Sequence, residues 1–274
     1  MSTSFELTIR PRKGWQAIDF TEILLYRELL AFLVWRDIKI RYRQTLLGGL
    51  WAVLQPLIAM LIFSFIFNRM AHVQSDGPPY KLFAYAGLAP WTFFSTSVTQ
   101  ASNSLLANQH LVSKVYFPRI FIPIGAVGAL LVDLVFSLGL LFIMMLFYRW
   151  PLTLAILWLP VFMLGAVLAA TGAGLILSAL NVSFRDIKYA VPFMVQMGLF
   201  VTPVIYPASY FPKKLQFLLS LNPMAGVVIG FRHALLGSAA SWQVVSSSLV
   251  LGLLTFISGL FIFRRMENRF ADII

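Results

Sequence analysis

The chain has no cysteine and little charge. Without thiols there is no disulfide framework, no thiolate nucleophile and no thiolate zinc site. Aspartate, glutamate, lysine and arginine make up 11% of the residues, against about 25% in soluble domains. A soluble basic domain is therefore excluded, although the net charge is +11. Acids number only ten and histidines three. His72, His110 and His233 are scattered, and no Asp-x-Asp pair appears. No G-x-x-x-x-G-K-[ST] phosphate loop is present either, so ATP used to drive any uphill movement is expected to be hydrolysed by another subunit.

What the chain does have is apolar length. Hydrophobic residues make up 59% of it, and its mean hydropathy is +0.84. The first 45 or so residues are polar or mixed, and the apolar run after them is too long for a signal peptide's h-region, so no secretory signal is expected. Long helical runs, rather than short alternating strands, exclude a transmembrane barrel. A helix needs about 20 apolar residues to cross a bilayer core.

The expected fold is all-α and polytopic, with six spans: Leu46–Phe67, Leu82–Leu106, Ile120–Phe147, Leu154–Leu180, Ala190–Ile205 and Val244–Phe263. The domain reading is a cytoplasmic N-terminal segment over 1–45, a six-span membrane domain over 46–264 and a cytoplasmic tail over 265–274. Of the 21 lysines and arginines, only Arg69, Lys81, Arg149, Lys213, Lys214 and Arg232 fall on the side opposite the termini. The positive-inside rule then puts both termini in the cytoplasm. Between spans five and six, residues 207–241 form two apolar pieces broken at Asn222-Pro223. Neither reaches spanning length, and proline interrupts a helix. An outer re-entrant helical hairpin fits, and one more distorted span is the alternative.

Before the first span, Thr21–Arg43 reads as a helix capped by Thr21, with Glu22 in its first turn. Arg36, Lys39 and Arg43 share a face, and Asp37 and Arg41 stand at i,i+4. The segment is expected to lie on the cytoplasmic membrane surface with its cations toward headgroups. Three uses remain open for it: fixing topology on anionic lipid, docking a cytoplasmic partner, or meeting an anionic lipid-linked substrate. A nucleic-acid arm is disfavoured because the tract runs straight into a span. Asp133 is the one acid inside a span; it is either a functional group or a partnered structural one.

Three stretches together resemble a known family: "WRDIKIRYRQTLLGGLWAVLQP", "NVSFRDIKYAVPFMVQMGLFVTPVIYP" and "LNPMAGVVIGFRHALLG". The chain resembles the permease subunit of bacterial ABC-type polysaccharide exporters, which move lipid-linked O-antigen, capsule or teichoic acid. The resemblance covers nearly everything after about Asp19 and implies a transport subunit rather than an enzyme. It implies a pair of permeases in the inner membrane, two cytoplasmic ATP-binding subunits that hold ATP and magnesium, and no cofactor in this chain. The cargo implied is a lipid-linked polysaccharide, with O-antigen favoured.

Coupling loops would be Asn108–Ile120, with Lys114, and Asn181–Tyr189, with Phe184, Arg185 and Asp186. Arg36, Lys39, Arg41 and Arg43 would meet the cargo's diphosphate, because arginine grips phosphate bidentately. Tyr85, Trp91, Phe94, Phe200 and Tyr206 are candidates for stacking on sugar rings, and an ordinary interfacial aromatic belt is the other reading. Gln55 and Gln196 would offer amides on channel walls formed by the first and fifth spans, or would bond a neighbouring helix. An integral membrane enzyme acting on lipid-linked sugars, and a passive channel, are the competing functions.

Overall fold

The computed structural model describes residues 25–43, 48–75, 77–114, 117–211, 216–267 and 270. Among these residues every regular element is helical. In chain order they are α1 (Arg27–Tyr42), α2 (Leu50–Phe63), α3 (Tyr80–Ala107), α4 (Gln109–Lys114), α5 (Phe121–Phe147), α6 (Leu159–Ser183), α7 (Ile187–Val201), α8 (Gln216–Ser220), α9 (Pro223–Leu236) and α10 (Trp242–Glu267). A π-helical segment, Ser64–Met70, extends α2, and a 3₁₀ turn, Leu154–Trp158, leads into α6.

Four helical stretches are long and apolar enough to cross a membrane: Leu50–Met70, Phe121–Phe147, Leu154–Ser183 and Trp242–Glu267. They correspond to the expected first, third, fourth and sixth spans. The other two differ for visible reasons. α3 is 28 residues long, about 42 Å at 1.5 Å per residue. Its length would suffice, but its serines, threonines, Gln100 and Asn103 dilute its hydropathy. It compensates by burial: Leu82 to Trp91 are all at most 6% exposed. α7 has 15 residues, about 22 Å, and so is shorter than a bilayer core of about 30 Å. The chain leaves helical geometry at Thr202, before Pro203. The expected start of the N-terminal helix, with Thr21 and Glu22, lies outside the described residues.

A central bundle of α3, α6, α9 and α10 forms the core. α6 and α10 touch at the backbone. A Cβ on Gly172 would fall 2.5 Å from the backbone of Thr255 and Phe256, and one on Gly259 would fall 2.6 Å from the Gly172 carbonyl oxygen. In lipid, where apolar surface alone does not drive helices together, such close backbone approach supplies packing.

α9 is inserted as a short plug. Asn222 caps it: its side-chain oxygen accepts from the Met224 amide at 2.9 Å, and its amide donates to Thr202 Oγ1 at 2.8 Å. Pro223 occupies the first turn, where its missing N–H costs nothing. Gly237 closes the helix with φ 68°, the left-handed position glycine tolerates. The expected break at Asn222-Pro223 is therefore a helix boundary between α8 and α9.

Arg232, counted above as an outer topological charge, is 3% exposed and serves packing instead. Its guanidinium lies 3.4 Å from the centre of the Phe83 ring. It donates to the carbonyls of Phe83 at 3.1 Å, Pro203 at 2.7 Å and Val204. Tyr80 donates to the Ile205 carbonyl at 2.6 Å. The start of α3, the turn after α7 and the plug helix are thereby held as one unit. The expected tail over 265–274 is also partly helical, because α10 runs to Glu267. There the Glu267 carboxylate accepts from the Arg119 amide at 3.0 Å, and its carbonyl accepts from the Arg119 guanidinium at 2.7 Å.

Gly172→Val is expected to wedge α6 from α10 and destabilise the fold by at least about 1–3 kcal/mol, the usual cost of overpacking. Gly139→Ala, where a Cβ meets nothing within 4 Å, should be neutral. Thermal unfolding of the two variants in detergent checks both; equal midpoints would refute the close α6–α10 contact.

Candidate functional site

The N-terminal helix does not stand alone. α1 runs alongside α5 in the same direction. A Cβ on Gly125 would lie 3.4 Å from Leu33 Cβ, and one on Gly128 would lie 3.0 Å from Val34. Further on, Arg41 meets Asp133, and Tyr42 meets Phe136 edge-on at 6.3 Å between ring centres. The two glycines make a flat strip on which Leu33, the only buried residue of α1, settles. The next turn and the start of α2 sit at the same level, since a Cβ on Gly49 would touch the Phe136 ring at 3.0 Å. Ser137 donates to the Ala52 carbonyl at 3.1 Å. Asp133 therefore lies half-way along α5, close to where the chain enters its first long apolar helix.

The four expected anion-binding cations are not equivalent. Arg41 forms a 2.6 Å ion pair with Asp133 Oδ2, with the two side chains 29% and 13% exposed. The Tyr42 hydroxyl donates to Asp133 Oδ1. Arg36 is half-buried and paired with Asp37 at 2.8 Å. The expected i,i+4 pair of Asp37 with Arg41 is therefore replaced: Asp37 takes its neighbour, and Arg41 is drawn to the interhelical carboxylate. Lys39 is exposed and lies over Trp35 at 5.3 Å, a cation–π distance. Arg43 is exposed at the end of the described helix.

Beside the ion pair is a cavity of about 10 Å³, lined in part by Arg41, Gln55, Thr92, Thr96, Asp133 and Ser137. That is roughly the room a single water occupies. Gln55 and Gln196 both lie on exposed faces. Gln55 faces out from α2 with Trp51, Ile58 and Ile62. Gln196 faces out from α7 with Phe193, Met197 and Phe200.

The residues expected to meet a partner lie at the end of α4 and in the link between α6 and α7. Lys114 is exposed at the end of the short helix α4, whose Val112 is buried. Phe184 is 61% exposed in the three-residue link between α6 and α7, with Arg185 and Asp186 exposed beside it. Asn181 steadies the base of this link by donating to the Ser102 carbonyl at 2.8 Å.

The aromatic candidates separate into two groups. Trp91 and Phe94 pack together at 5.6 Å, and the Trp91 ring fills the space beside Gly198 on α7. Phe200 is half-exposed on that helix. Tyr206 donates to the Phe200 carbonyl at 2.7 Å and stacks near Phe211 at 5.7 Å. Tyr85 is wholly buried in the core, away from any exposed face. Sequence spacing gave no sign of Tyr42. The clue to it was Asp133, since an acid in an apolar helix demands partners, and α1 carries the nearest surplus of donors. Among the described residues no cluster of three acids or histidines could hold a metal ion.

Comparison with known proteins agrees with this architecture. The family model described as ABC-2 type transporter matches residues 28–236. The O-antigen export system permease protein RfbA of Klebsiella pneumoniae is 30% identical over 248 residues, covering 90% of this chain and 95% of that protein. RfbA of Myxococcus xanthus is 34% identical over 214 residues, covering 77% and 81%. The polysialic acid transport protein KpsM of Escherichia coli is 26% identical over 242 residues, covering 85% and 91%.

Proposed function

The chain belongs to the ABC-2 type transporter family, and we propose that it is the channel-forming permease of an ATP-driven exporter that moves a lipid-linked cell-surface polysaccharide, O-antigen first among the candidates, out of the cytoplasm. The observation that carries this reading is the near end-to-end match to O-antigen export permeases. The weaker match to a polysialic acid transport protein supports capsule as the second cargo. ATP and magnesium belong in this reading to a separate subunit, which the absent phosphate loop supports.

In this reading the protein sits in the bacterial inner membrane with both termini cytoplasmic. α3 and α7 complete six crossings, and α8 with α9 forms an outer re-entrant hairpin. Irregular backbone at such depth has to be buried in protein, and α9 meets that condition. Two copies pair through the uncovered faces of α2 and α7, where Gln55 and Gln196 offer amides along a polar path. Phe94, Phe200 and Tyr206 give flat apolar surfaces on which pyranose rings stack; Tyr85 and Trp91, both buried, are core residues in this account. Lys114, Phe184, Arg185 and Asp186 meet the two ATP-binding subunits. Lys39 and Arg43 are the cations free to meet an arriving diphosphate first, with Arg36 and Arg41 held in reserve by their aspartates.

Deleting the gene should leave a lipid-linked glycan on the cytoplasmic side, and the tagged protein should co-purify with an ATP-binding subunit. Export continuing without either would refute the reading, and identifying the accumulated glycan separates O-antigen from capsule. Phe184→Ala is expected to leave the complex assembled with ATP hydrolysis while export falls at least about tenfold, the scale of losing one desolvated aromatic anchor. Wild-type export in that variant would remove Phe184 from the coupling surface.

A further inference from the structure

The ion pair between Arg41 and Asp133 has a consequence for how cargo would reach its site. Arg41 is one of the cations suited to a diphosphate, yet its guanidinium is already occupied by a carboxylate at 2.6 Å. That carboxylate also accepts from Tyr42. The space beside the pair is about 10 Å³, enough for roughly one water and far too small for a diphosphate. No head group can therefore bind Arg41 from within while the pair is closed. It can arrive only at the exposed flank of the guanidinium, where it competes with Asp133 for Arg41.

The exchange is chemically reasonable. A diphosphate carries more negative charge than a carboxylate and presents several oxygens to arginine's planar fork. Lys39 and Arg43, both exposed, would draw such an anion toward the end of α1. The pair is also a mechanical tie. Beside it, α1 packs on α5 through Leu33 and Val34 on the Gly125–Gly128 strip, through the apolar cluster that Leu29 and Leu30 join with Phe121 and Ile122, and through the Tyr42–Phe136 contact. Loss of the tie frees the end of α1 that leads into α2.

We propose that Asp133 is a positioning residue: the resident counter-ion that holds Arg41 and Tyr42, and with them the N-terminal helix, against α5 until a lipid-borne diphosphate replaces it. This deepens the exporter reading and rests on it for the identity of the anion. It does not rest on it for the tie itself.

The chain's lack of cysteine makes the tie measurable. A Cβ on Gly125 lies 3.4 Å from Leu33 Cβ, close to the roughly 3.5–4.5 Å a disulfide spans. The full-length Leu33→Cys/Gly125→Cys protein in phosphatidylcholine nanodiscs should therefore close a disulfide readily under mild oxidation. Adding Asp133→Asn should slow closure at least about fivefold, and Asp133→Glu should restore it. Undecaprenyl diphosphate should slow closure in the Asp133 parent and leave the Asn variant unchanged, whereas uncharged undecaprenol should do nothing. If Asp133→Asn does not insert, Arg41→Gln replaces it in the same assay, with the same slowing expected.

Closure at the parent rate in the neutralised variant would overturn the tie. A parent rate indifferent to undecaprenyl diphosphate would overturn the exchange. Equal slowing by phosphatidylglycerol would assign the exchange to bilayer headgroups rather than to cargo and overturn the proposal in that form. None of these outcomes touches the glycan accumulation expected on deletion, so the tie and the exporter reading fail separately.

Discussion

A carboxylate placed half-way along an apolar helix cannot be left without partners, and Asp133 is the polar point at which α1 is tied to α5. The chain satisfies Asp133 with the last turn of α1, through Arg41 and Tyr42. This fixes where α1 ends, and so where Gly48 and Gly49 turn the chain and α2 begins. The strip of Gly125 and Gly128 permits the approach; the ion pair decides its register. A helix that would otherwise float on the membrane surface is thereby joined to the bundle at one polar point.

The rest of the molecule divides into a frame and its edges. The frame is α3, α6, α9 and α10, packed where glycine lets backbones touch and closed at one end by Arg232 bonding three carbonyls. The edges are α2 and α7, which keep whole apolar faces uncovered. A pump needs both: a part that keeps its shape, and parts whose contacts can be exchanged for a second copy, lipid or cargo. The exposed link at Phe184 joins a frame helix, α6, to an edge helix, α7.

Much of this was legible in the sequence. The long apolar runs located α5, α6 and α10 to within a few residues, because length and hydropathy alone define a spanning helix. The Asn222-Pro223 signal placed the start of α9. Three things were not legible. Local spacing suggested that Asp37 pairs with Arg41, but the stronger demand came from Asp133, ninety-odd positions away. Arg232 looked like a surface charge, since nothing local announces that three carbonyls will surround it. Tyr85 and Trp91 stand on one helix, yet only packing decides that Tyr85 is enclosed while Trp91 reaches α7. In each case the deciding partner lies on another helix.

The central claim is that Asp133 keeps the N-terminal helix against α5 until the cargo's diphosphate takes its place and lets the helix leave. The most direct test is export through a protein in which it cannot. In inverted membrane vesicles containing the Leu33→Cys/Gly125→Cys permease with its ATP-binding partner, oxidation should abolish ATP-driven uptake of the lipid-linked glycan, and reduction should restore it. Undiminished uptake by the fully cross-linked protein would contradict the account.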